Sequence, residues 1–88
     1  MITIRKINDT TFEVTVEGRT VTTHKVTVTP AYYEELTGGQ VPEEVLLEKS
    51  FEFLLAREPN TSILRSFDLP VIGRYFSEYE RVIREMME

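Results

Sequence analysis

His24 is the only histidine of the chain, and there is no cysteine. Thiolate nucleophiles, disulfides and cysteine-bound zinc are therefore excluded together. A catalytic histidine needs a nucleophile or an acid carried to it by the fold. Ser50, Ser62, Ser66, Ser77 and Asp68 are present, but none lies in a nucleophile-elbow context. The expectation for His24 is a structural or surface role on a strand, with no catalytic residues. Metal binding would fall to carboxylates, and no acidic spacing matches a calcium loop. No cofactor is expected.

Gly38-Gly39 ahead of a helix is the one hint of a phosphate loop. The helix it precedes starts near Pro42, which has no N–H to offer, and Glu43 and Glu44 would repel an anion. A helix stop followed by a turn is the better reading. The adjacent acids Glu34-Glu35 and Glu43-Glu44 point about 100° apart on a helix, so neither pair shares a proton. Glu44, Glu48 and Glu52 do share a face, at spacing four, and repel one another there. That face is a candidate surface for a basic partner. The second candidate surface is Arg65, Arg74, Arg81 and Arg84, which lie near Tyr75, Phe76 and Tyr79 in sequence. Arginine with aromatics serves protein interfaces and nucleic-acid binding alike. The plainer reading pairs Glu80 with Arg84 and Glu78 with Arg81 along one helix and turns the aromatics inward.

The elements that would position these groups follow from periodicity. Ile2, Ile4, Phe12, Val14, Val16, Val26 and Val28 fall on even positions, with Thr, Glu and Arg between them. Period two with valine and threonine predicts half-buried strands. Asn8-Asp9 and Gly18-Arg19 supply turns, giving a three-stranded antiparallel meander over residues 1–29. Val21 is out of phase with Val26. Either a bulge near Thr22-Thr23 restores the phase, or a three-residue loop leaves Val21 outward. Nine of the eleven threonines fall in this stretch. Thr11, Thr15, Thr27 and Thr29 predict an outward ladder almost free of charge, on a sheet with two exposed edges that invite self-association.

From Pro30 onward the period changes. Pro30 opens a short helix over Ala31–Leu36, stopped by Thr37-Gly38-Gly39. Pro42-Glu43-Glu44 opens a helix running to about Arg57, with Leu47, Phe51, Leu54 and Leu55 as its main stripe, widened by Val45, Leu46 and Phe53. Asp68 reads as the N-cap of a short third helix, with Phe67 and Ile72 at staple spacing. Ser77 and Glu80 form a capping box for a fourth, whose stripe is Tyr79, Val82, Ile83 and Met86. Strands followed by helices predict α+β: three to four helices packed on one face of the meander, in one domain over residues 1–88, with 30–88 its helical part.

The length of 88 residues, 41% of them hydrophobic, fits one small domain. The formal charge is −5, and its acidity is concentrated in residues 30–58, where seven glutamates face Lys49 and Arg57. That balance disfavours nucleic acid. A small chain without disulfide staples or a signal-like start is expected in the cytoplasm, with no membrane segment.

The run Arg57-Glu58-Pro59-Asn60, continued by Ile63 through Glu80, resembles the C-terminal block of a family of short, uncharacterised prokaryotic proteins. Tyr32 through Gly39 and Ser50 through Leu55 are similar to that family too, so the resemblance covers most of residues 26–80. It implies no activity and assigns no site residue. Taken together, the residues predict a small non-enzymatic protein–protein interaction module, working through an unknown partner or self-association. The alternative is a nucleic-acid-associated regulator that uses the C-terminal arginines.

Overall fold

A computed structural model describes residues 1–88. The first three strands are β1 (Ile2–Lys6), β2 (Thr11–Glu17) and β3 (Val21–Thr27), paired antiparallel in chain order as the periodicity predicts. Asn8 builds the first turn: its side-chain oxygen accepts the backbone N–H groups of Thr10 and Thr11. The second turn settles the Val21 question. Residues 18–20 form a three-residue loop and the register runs on unbroken, with Glu17 opposite Val21 and Val16 opposite Thr22. There is no bulge. Val21 faces out and is 61% exposed. Thr22 and His24 therefore point inward beside Val26, and both are buried.

Helices α1 (Pro30–Thr37), α2 (Glu43–Leu55), α3 (Val71–Tyr75) and α4 (Tyr79–Met86) cover the inward face. Thr29 caps α1 through its side chain, accepting from the Tyr32 N–H, so it belongs to the helix and not to a threonine ladder. Gly38 ends α1 at φ 61°, a left-handed position that suits glycine, and returns its N–H to the Glu34 carbonyl. α2 is the central helix. It ends at Leu55, slightly before the predicted Arg57, and is buried through Leu46, Leu47, Ser50, Phe51, Phe53 and Leu54. So many buried positions exceed a single stripe because the sheet takes one flank and α4 another. Ser50 survives this burial by donating to the Leu46 carbonyl and accepting from the Tyr79 hydroxyl, each at 2.7 Å. No buried side-chain polar atom lacks a partner.

The main departure from expectation lies between α2 and α3. A 3-10 turn at Asn60–Ser62 leads into a fourth strand, β4 (Ser66–Asp68), which pairs parallel with β3. Asp68 ends this strand and is not a helix cap; α3 begins at Val71 with Pro70 in the cap position. β4 is too short to show a period, and its pairing is by main chain: Lys25 donates to the Arg65 carbonyl and Leu69 to the Thr27 carbonyl. The capping box is also absent. Glu78 occupies the cap position of α4 but its side chain does not cap the helix, turning instead to Arg57, and Glu80 accepts from the Tyr32 hydroxyl at 2.8 Å. That tie joins α1 to α4, and burial together with the nearby carboxylate raises the Tyr32 pKa.

The outward face of the sheet is not free of charge. Thr11, Thr15 and Thr27 alternate there with Arg5, Glu13, Glu17 and Lys25, and Arg5 pairs with Glu13 at 3.0 Å. The predicted helix pairs are redrawn as well. Arg81 pairs with Glu85, and Glu78 pairs with Arg57 of the chain segment after α2. Arg84 reaches only the carbonyls of Glu80 and Glu35, both at 3.5 Å.

Candidate functional site

Two buried polar side chains hold residues 60–68 against the open side of β3. His24 is wholly buried. Its Nδ1 lies 2.7 Å from the Leu64 carbonyl, which can only accept, so the proton sits on Nδ1. Nε2 then accepts from the Thr22 hydroxyl at 2.8 Å. Phe51 packs on the ring at 5.4 Å between centroids. Desolvation lowers the pKa of His24, the Leu64 hydrogen bond opposes that, and the nearby Arg65 charge adds to it. The imidazole is neutral, and both nitrogens are occupied. Asn60 is the second clamp. Its Nδ2 donates to the carbonyls of Thr20 at 2.6 Å and Val16 at 3.3 Å, across the loop that sets the register of β3.

The segment so held forms one wall of an apolar cleft of about 280 Å³. Ile63, Leu64 and Phe67 come from this wall, Leu54 from the last turn of α2, Glu58 from the loop beyond that helix, and Val71, Ile72, Tyr75 and Phe76 from around α3. Ile63 and Ile72 are buried and form the floor. Leu64 and Tyr75, at 46% and 69% exposed, are two of the five large apolar side chains that the fold leaves in solvent. The half-buried Glu58 forms no ion pair. Its neighbour Arg57 is turned elsewhere, stacked 3.6 Å over the Phe53 ring and bonded to Glu78. The Glu78 carboxyl is held below its usual pKa by its own backbone N–H first, and then by Arg57. The cleft thus offers an apolar floor with one unneutralised carboxylate at its side. Chemically, that suits an apolar group carrying a cation close by.

The residues singled out in the sequence are distributed differently. Glu52 pairs with Lys49 within α2. Glu44 and Glu48 have no ion pair and flank Val45 at a shallow groove along β1, lined also by Ile2 and Ile4. Of the arginines, Arg81 and Arg84 are engaged on α4, Arg65 lies just before β4, and Arg74 is on α3. They are spread over a loop and two helices, and of the four only Arg65 and Arg74 are without an acidic partner or a carbonyl. No three histidine, aspartate or glutamate side chains gather closely enough to hold a metal. No helix is long and apolar enough to cross a membrane.

The chain matches no family model, no curated protein and no solved structure. Sequence reasoning missed Asn60, Leu64 and Glu58 as site residues, and it turned Tyr75, placed beside the C-terminal arginines, inward where the structure leaves it exposed. The available signal was Leu64, an apolar residue outside every periodic stripe and next to the charged Arg65.

Proposed function

We propose that this protein is a small non-enzymatic protein–protein interaction module of the cytoplasm, and that the α3 cleft is its contact surface. The observation that carries the reading is the cleft itself: an apolar floor, two exposed apolar side chains at its margin, and the unpaired Glu58. Partly exposed apolar side chains around a formed pocket are the usual anchoring geometry of interfaces. The fitting partner presents an aliphatic or aromatic side chain with a lysine or arginine beside it. The alternative, nucleic-acid association through Arg65, Arg74, Arg81 and Arg84, has less support. Two of those cations are already engaged, and the chain as a whole is acidic.

A displayed random-peptide library selected on the full chain tests the reading. Enriched peptides should pair an apolar residue with a basic one. Their affinity should fall about tenfold or more in Leu64→Ser and Tyr75→Ser, and their basic preference should vanish in Glu58→Gln. Peptides that bind all three variants as well as the parent would remove the cleft from consideration.

A further inference from the structure

The opposite edge of the sheet carries a separate inference. β1 is the other outer strand, and nothing in the chain pairs with its free side. The main-chain bonds to β2 are made by odd-numbered residues, as the Met1 carbonyl and the Ile7 N–H show. By the alternation of an antiparallel ladder, the N–H and C=O groups of Ile2, Ile4 and Lys6 point away from the sheet. Their side chains face the helix layer. Between them and α2 runs a groove of about 250 Å³ lined by Ile2, Ile4, Glu44, Val45 and Glu48. The inward side chains of one further strand would lie in this groove.

We propose that the further strand is β1 of a second copy, antiparallel, with Ile4 opposite Ile4 on a two-fold axis. Four observations meet in this register. Ile2 faces Lys6 of the other copy, and Ile4 faces its counterpart, so every outward backbone group finds a partner. On the outer face, Met1 lies opposite Ile7. These two are 81% and 42% exposed, and the pairing covers both. Lys6, which holds only Glu43 at 3.4 Å, comes beside Ile2 of the other copy and so toward its Glu44 and Glu48. Those glutamates repel each other at spacing four and have no cation of their own. A lysine on an edge strand ordinarily discourages pairing; in this register it meets acids. The edge also has no proline or glycine to interrupt it. Shifting the register by two residues leaves one end of the strand unpaired and separates Met1 from Ile7.

Sedimentation velocity over a wide concentration series, with circular dichroism as the check on folding, tests the dimer. The parent chain should pass reversibly from monomer to dimer. Ile7→Glu changes only an exposed side chain, and Lys6→Pro removes an N–H that points away from β2. Each should weaken dimerisation about tenfold or more while the monomer stays folded. The absence of cysteine makes single-cysteine variants informative. Ile4→Cys should cross-link to itself under mild oxidation, since directly opposed residues lie about 5.5 Å apart. Ile2→Cys should not, because its copies are four residues apart along the strands, about 13 Å. A chain that stays monomeric throughout, a dimer indifferent to Ile7→Glu, or equal cross-linking at both positions would overturn the proposal. So would a dimer that dissociates in Tyr75→Ser, because the cleft would then be its interface.

Discussion

The two sides of the three-stranded meander are finished in opposite ways. At β3 the chain closes its own edge: β4 pairs with Lys25–Thr27, His24 takes the Leu64 carbonyl, and Asn60 ties the loop before β3 to the 3-10 turn. At β1 no such closure exists, and the outward backbone groups face water. The closed edge depends on buried polar side chains, whose loss leaves carbonyls without donors. The open edge depends on exposed groups, which contribute little to folding of the single chain. A sheet edge can thus be completed internally, at the cost of exacting hydrogen-bond geometry, or left available for association.

This contrast is open to direct attack. The largest effect should come from His24→Ala, which empties a buried site and strands the Leu64 carbonyl. Urea unfolding followed by circular dichroism should show a loss of about 2–4 kcal/mol. A loss below about 1 kcal/mol would mean that β4 docks without the histidine. Asn60→Ala removes the donor to Thr20 and Val16, and should cost about 1–3 kcal/mol in the same measurement.

Acidity probes the closed edge more gently. The folded pKa of His24 lies below its unfolded value, so the unfolded chain takes up the proton first as pH falls. The histidine's contribution is complete above the unfolded value near 6.5 and declines as pH drops toward the folded one. Stability should therefore fall below about pH 6.5, with a slope from this group of at most about 1.4 kcal/mol per pH unit. Comparing unfolding curves of the parent and His24→Asn across pH isolates that slope; equal slopes would contradict it. The smallest effect belongs to the outer face. Val21→Thr keeps a β-branched residue at an exposed position and should leave stability within about 0.5 kcal/mol.

Much of the architecture was legible in the chain. The even-position apolar residues of 1–29 gave the meander, and the helix starts at Pro30 and Pro42 were marked by proline and acids. These signals are local, since burial on one face imposes a period that the residues display directly. The helix stripes were legible for the same reason, including Tyr79 and Ile83 on α4. The errors fell where the local cue had two outcomes. Asp68 has the chemistry of an N-cap, yet the chain reaches it while still hydrogen-bonded to β3. Ser77 and Glu80 have capping-box spacing, yet Glu80 takes a stronger partner in Tyr32, which lies 48 positions earlier.

The candidate site was much less legible than the fold. Leu64 and Glu58 fit no motif, Tyr75 was expected to face inward, and Glu44, Glu48 and Glu52 looked like one surface until Lys49 paired with Glu52 and left the other two at the β1 groove. Residue order by itself determined the strand and helix periods, the acidic middle third and the exclusion of cysteine chemistry. Tertiary structure alone decided the three-residue loop that turns His24 inward, the pairing of β4, and the cleft that His24 and Asn60 support. The physical reason is range. Periodicity records whether a residue is buried, whereas hydrogen bonds such as His24 to Leu64 join groups far apart in sequence, and their partners exist only once the core has brought them together.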